Sequence, residues 1–192
     1  MRNLVLSKLA EEISKSIVAT VKGTDDVLSA LRGAVKNQIV GTLKDVGDVA
    51  TAGLDAVVDV ARGSVSGAKE VGASVAGAAK EAVRGSINGV SEVGGDVLTA
   101  ARKASIGAVS GAAELGADIG KTAVSAVEGA IEAAGKVGVS STDAAKEAAV
   151  GALKAADAAG DEAGKSVRDA LLSAASLPRD VIEAVIKGSD KK

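Results

Sequence analysis

Residues 62–83 read RGSVSGAKEVGASVAGAAKEAV, residues 84–105 read RGSINGVSEVGGDVLTAARKAS, and residues 106–127 read IGAVSGAAELGADIGKTAVSAV. Stacked in this way the three lines match column by column, with Gly, Val, Ala and charge recurring at a fixed period of 22 residues. Self-similarity of this length is the signature of a repeat architecture. The same register continues forward through EGAIEAAGKVGVSSTDAAKEAA from Glu128 and VGALKAADAAGDEAGKSVRDAL from Val150. Backward it holds through VGTLKDVGDVATAGLDAVVDVA from Val40 and, more weakly, VATVKGTDDVLSALRGAVKNQI from Val18. No insertion interrupts it.

Each unit divides into two 11-residue halves, and 11 residues over three turns is about 3.67 per turn, a helical period and not a strand period. On a helical wheel, positions 3, 4, 7, 10 and 11 of the half-repeat share an arc of about 120° and are mainly Val, Ala, Ile and Leu. For residues 62–83 this predicts an apolar stripe of Val65, Ala68, Val71, Val75, Ala79 and Ala82, with Lys69, Glu70, Lys80 and Glu81 facing water. The chain is thus expected to be all-α: long amphipathic helices from 22-residue Gly/Ala/Val repeats, packed as an elongated bundle or helical assembly.

Glycine is in phase too. Gly63/Gly67, Gly85/Gly89 and Gly107/Gly111 form GxxxG pairs bordering the apolar arc, followed five residues on by Gly72, Gly94 and Gly116. A face of small residues accepts another helix backbone at close range. Each helical glycine costs about 1 kcal/mol relative to Ala, so the 24 glycines of this chain demand compensation from close helix packing or from lipid. The unbroken register favours continuous helix, on the order of 225 Å for the repeat region at 1.5 Å per residue. If turns interrupt it, Gly94-Gly95 and the stretch from Gly138 to Asp143 are the candidates, with Ser140 or Ser141 as N-cap.

The ends differ from the middle and divide the chain into an N-terminal amphipathic helix over 1–22, the repeats over 23–171, and a short helix with a charged tail over 172–192. The first carries Leu4, Leu6, Leu9, Ile13 and Ile17, and Thr24 with Asp25 and Asp26 reads as an N-cap for the helix that follows. In the last, Pro178 opens a turn bearing Val181, Ile182, Val185 and Ile186. Bulky ends around a small-residue middle suit terminal caps or docking contacts.

Composition excludes most chemistry. With no His and no Cys there is no Ser-His-Asp triad, no Cys-His pair and no site of the usual transition-metal ligands. The carboxylates and lysines recur with the repeat, whereas a catalytic site is singular, so no enzyme, cofactor or small-molecule substrate is expected. GADIGKT from Gly116 and GDEAGKS from Gly160 are one residue short of a phosphate loop between their glycines, and each is expected mid-helix instead of after a strand. A net charge of −2 and the absence of Phe, Tyr and Trp remove both the basic footprint and the stacking platform of a nucleic-acid binder. Roughly 40 alanines and many valines bury little area each, which argues against one thick globular core. Lys8, Glu11 and Glu12 interrupt any secretory h-region, and no stretch reaches the length of a spanning helix, so a cytoplasmic or peripheral location is expected.

With segments such as AAKEAV at 78–83 and EGAIEAAGKVG at 128–138, the 11-residue phase resembles the helical 11-mer class of synucleins, exchangeable apolipoproteins and late-embryogenesis-abundant proteins. That resemblance implies lipid-surface binding or protection. The chain lacks the synuclein KTKEGV core, the proline punctuation of apolipoproteins and the hydrophilicity of desiccation proteins, its mean hydropathy being +0.27. The expected function is self-assembly of a structural protein through the Gly/Ala/Val face into a filament, tube or bundle. The alternative is a peripheral protein coating a droplet, granule or vesicle, with a protectant role behind it.

Overall fold

The computed structural model describes residues 11–19, 26–46 and 52–189, and among these it is helical throughout, with no strand. Residues 11–19 form α1. There follow α2 (Val27–Val46), α3 (Ala52–Glu70), α4 (Val75–Glu92), α5 (Val97–Glu114), α6 (Ile119–Lys136), α7 (Ser141–Ala159), α8 (Asp161–Ser173) and α9 (Arg179–Ser189).

The repeat is therefore not a continuous rod. Gly72, Gly94, Gly116 and Gly138 stand at φ of +77°, +73°, +62° and +76°, a left-handed conformation that glycine adopts without steric penalty. Each ends a helix, the first three in the same way and Gly138 with Val139 N–H donating to Ala134 O. Ala73 N–H donates to Ala68 O and Gly72 N–H to Lys69 O; Gly95 to Val90 and Gly94 to Ser91; Ala117 to Ala112 and Gly116 to Ala113. This pair of bonds is the Schellman motif, which satisfies carbonyls that the last helical turn leaves open. Two residues after each glycine comes an N-cap: Ser74 accepts from Gly77 N–H, Asp96 from Leu98 and Thr99, Asp118 from Lys121, and Ser140 from Asp143. Both turn candidates of the sequence are turns, and Ser140 rather than Ser141 caps α7. One 22-residue unit is one helix with its turn, so turns recur without shifting register, and the 11-residue half marks no boundary. The units cut at Arg62 and Arg84 begin mid-helix.

Helices two apart in the chain lie side by side and run parallel, as Gly85 and Gly89 of α4 meet Arg32 and Lys36 of α2 in the same order. The helices thus form two layers, α2, α4, α6 and α8 in one and α3, α5 and α7 in the other, with consecutive helices packed across them. Between the layers runs one continuous cluster. Its alanines (Ala78, Ala82, Ala104, Ala130, Ala148) are fully buried, with Leu31, Ile39, Leu54, Ile87 and Leu153 as its larger members. Small side chains do make a core here, because glycine lets the helix axes come close. Val65, Ala68, Ala79 and Ala82 are buried as the wheel predicts, but Glu81, expected on the wet face, is only 8% exposed.

The ends carry caps of other sequence. Ile13 and Ile17 of α1 are buried, and Gly67 of α3 faces Ser14 and Val18. At the other end α9 packs on α7 and α8 through Ile182, Val185 and Ile186, and the Pro178 carbonyl accepts its first bond, from Ile182. The N-cap expected at Thr24 falls to Asp26, whose carboxylate accepts from Ser29 N–H; Thr24 and Asp25, like Leu4, Leu6 and Leu9, lie outside the described residues.

Candidate functional site: the stacking interface

The glycine pairs meet backbone, and the backbone belongs to the same chain. A Cβ built on Gly85 would lie 2.7 Å from the Arg32 carbonyl oxygen, on Gly89 3.0 Å from that of Lys36, on Gly111 3.1 Å from that of Arg62 and on Gly67 3.0 Å from that of Ser14. Gly107 sits hard against the Val58 carbonyl, and Gly63 is buried in α3. The contact that the sequence offered to a second copy is made two helices back in the same molecule.

Two more glycines do the same, Gly129 at 2.6 Å from the Lys80 carbonyl and Gly151 against that of Arg102. Neither belongs to a GxxxG pair, since Ala133 and Ala155 stand four residues on, and the pair motif therefore passes over them. The signal that finds them is position, because Gly63, Gly85, Gly107, Gly129 and Gly151 are spaced by one full repeat.

Beside nearly every such glycine a glutamate one turn away reaches the residue whose carbonyl the glycine covers. Glu81, four before Gly85, pairs with Arg32 at 3.1 Å; Glu92, three after Gly89, pairs with Lys36 at 2.7 Å; Glu114, three after Gly111, pairs with Arg62 at 3.7 Å. Glu128 and Glu132, flanking Gly129, lie 3.6 and 2.6 Å from Lys80. Glu147, four before Gly151, binds Arg102, and Glu70, three after Gly67, accepts from the Ser14 hydroxyl at 3.4 Å. The geometry is a clamp: glycine lets the later helix settle on a carbonyl while the adjacent carboxylate grips the side chain of the same residue. Gly107 over Val58 lacks the charged half. Lys103 of α5 pairs instead with Asp55 of α3, the opposite polarity.

Electrostatics follow from these pairs. The Lys80 hydrogen bond holds the Glu132 carboxyl below its ordinary range, and the same bond raises Lys80. Lys36 lowers Glu92 likewise. Asp59 of α3 is pushed upward by burial, against the pull of Arg62. Arg84 ties the network together, 2.8 Å from Glu81 and 3.4 Å from Glu132.

Among the described residues no group of three or more acidic side chains converges as a metal site, and no helix is long and apolar enough to cross a membrane. The two phosphate-loop lookalikes are not mid-helix; each begins at a turn glycine and opens a helix, α6 or α8. The cleft there is rimmed by Asp118, Asp161 and Glu162, and Asp118 already caps α6, so the site repels an anion.

A larger groove, of about 1020 Å³, lies between α7 and α9. Its apolar lining comes from Val150, Leu153, Val181 and Val185, with Lys146 and Lys154 at the rim.

No protein-family profile matches this chain, and no curated protein matches it. Among solved structures it is similar to the de novo designed helical repeat protein DHR7, at 18% identity and a TM-score of 0.52, over 96% of each chain. The chain has a helical repeat fold.

Proposed function

We propose that this chain is a structural scaffold, not an enzyme, which works through extended contact with other protein chains, copies of itself first among them. The observation that carries this is the polarity of the stacking interface. From α3 to α5 each helix offers a glycine side toward the N-terminal end and a carbonyl side toward the C-terminal end, while Gly120 of α6 rests on the Ser166 carbonyl of α8 in the opposite sense, and the array leaves unlike faces at its two ends. Among the described residues, nothing lies within 4 Å of a Cβ built on Gly33 or Gly41 of α2. At the far end, Leu172 of α8 stands 37% exposed at the register of Arg62 and Val150. Unlike faces of this kind support head-to-tail association, which extends until caps stop it.

Peripheral lipid binding needs an apolar face turned outward. In the described residues the apolar arc is turned into the core, and Leu172 is the one large hydrophobic side chain that stands exposed. The test is sedimentation of the purified chain over a wide concentration range, with and without vesicles. Concentration-dependent oligomers without lipid support the scaffold reading. A monomer at every concentration that pellets with vesicles overturns it.

A further inference from the structure

One side of α1 lies under Gly67 of α3, which meets Ser14 and Val18 there. Across the helix Glu12, Ser16 and Ala19 fall at i, i+4 and i+7 on a single face, and all three are exposed. Glu12 stands four residues before Ser16, as Glu81 stands before Gly85 and Glu147 before Gly151. With that spacing α4 and α7 grip Arg32 and Arg102 of the helices beneath them. Glu12 forms no ion pair among the described residues.

At the other end, Lys146 of α7 holds the repeat position of Lys36, Lys80 and Arg102, three cations that a stacked helix grips. Lys146, Val150 and Asp157 share one side of α7, turned away from the Gly151 side that rests on α5. Along that side lies α9, with a groove of about 1020 Å³ left open between the two. Ile182, Val185 and Ile186 hold α9 in place by burial. Nothing of the clamp holds it: Glu183 is engaged within α9 by Arg179 at 3.0 Å and Lys187 at 3.8 Å, and Gly188 meets nothing within 4 Å. Among the described residues no ion pair or side-chain hydrogen bond crosses from α9 to α7 or α8. The groove's charges balance, Asp143, Asp157 and Asp180 against Arg102, Lys146 and Lys154, so register and not net charge selects what fits it.

We propose that α9 is a cap held over the face of α7 that receives α1 of a second copy, so that head-to-tail assembly requires α9 to lift. With α9 displaced, Ser16 of the incoming chain seats on the backbone at Lys146, Glu12 takes the Lys146 ammonium, and Ala19 covers Val150 one turn on. Ile13 and Ile17 lie on neither of these faces and stay buried in the incoming chain's own core. The same end of that chain carries the open Gly33 and Gly41 of α2. Tethered by residues 174–178 alone, α9 competes at an effective concentration on the order of millimolar. The apparent affinity between copies then falls by the fraction of time the face is open. This inference rests on the self-association proposed above and adds its regulation.

The test compares the full chain with two released forms. Ile182→Glu puts a charge into the buried contact of α9, and a protease site placed within residues 174–178 lets α9 be cut free after folding. Circular dichroism and thermal melts report the fold of each; the cut chain keeps every packed residue and decides the matter where Ile182→Glu unfolds. In sedimentation equilibrium, release should lower the concentration of half-assembly at least about tenfold, as a face closed about nine-tenths of the time requires. In the cut chain Lys146→Glu and Glu12→Lys should each reverse that gain, and the two together should restore it. Assembly through uncovered apolar surface would ignore both charges, and a gain indifferent to them overturns the proposal. So does a chain that assembles equally well with α9 attached or released. Assembly by no form at any concentration overturns the scaffold reading itself.

Discussion

The same substitution, glycine to alanine, should act with opposite sign at two positions of one repeat phase. At Gly129 the added methyl would lie 2.6 Å from the Lys80 carbonyl oxygen, with the Lys80 Cα and carbonyl carbon at 3.2 and 3.3 Å. Ordinary contact begins at 3.4 Å, so α6 and α4 must separate by about 0.8 Å, and the obstacle is backbone that cannot rotate away. Overpacking of this kind costs about 1–3 kcal/mol. The gain in helix propensity, about 1 kcal/mol, offsets part of it. The net expectation is a loss of up to about 2 kcal/mol, or a fall in Tm of up to roughly 8 °C for a chain of this size. At Gly41, where nothing among the described residues lies within 4 Å, only the propensity term remains, and Gly41→Ala should raise stability by about 0.5–1 kcal/mol. Urea denaturation followed by circular dichroism measures both, and unchanged m-values would place the effect in stability alone. If Gly129→Ala stabilises as much as Gly41→Ala, the close-packing account is wrong, and the glycines are repeat habit without mechanical role.

Asp96→Ala removes acceptors for Leu98 N–H, Thr99 N–H and the Thr99 hydroxyl, and should cost about 1 kcal/mol, read as a lower urea midpoint. Ser86 and Ser105 are fully buried with hydroxyl oxygens that have no partner, so Ser86→Ala and Ser105→Ala should each stabilise by up to about 1 kcal/mol; destabilisation would reveal a hydrogen bond to buried water. Burial raises the Asp59 carboxyl in the fold, so its charge opposes folding above its folded pKa, and that penalty is relieved as pH falls toward the unfolded value. Asp59→Asn should therefore stabilise most near neutrality, with the advantage shrinking on acidification. Glu132 is lowered by Lys80 and behaves oppositely: its contribution is present above the unfolded carboxylate range and lost as pH falls through the folded value. Glu132→Gln should cost less than about 1 kcal/mol at pH 7, since the pair is partly exposed, and nothing in strong acid.

The helical state, its amphipathic stripe and the small-residue face were all legible in residues 62–127, because they depend on neighbours within a few turns. Of the repeat caps the sequence singles out only Ser140; Ser74, Asp96 and Asp118 also follow a turn glycine by two residues, but the unbroken register reads as continuous helix there. What the period could not report was chain direction. A helix of 18 residues with a four-residue turn repeats with the same length as two 11-residue helical halves, so Gly72, Gly94 and Gly116 leave the register intact whether or not the backbone reverses there. Reversal decides everything downstream. With it, Gly85 finds Arg32 and Gly151 finds Arg102 inside one molecule, Glu81 becomes a buried ion-pair partner, and the apolar arc closes into a core. Local composition determines which surfaces are small, apolar or charged. Only the tertiary structure determines which of them meet, because that depends on the left-handed glycines returning each helix to the one laid down two turns of chain before.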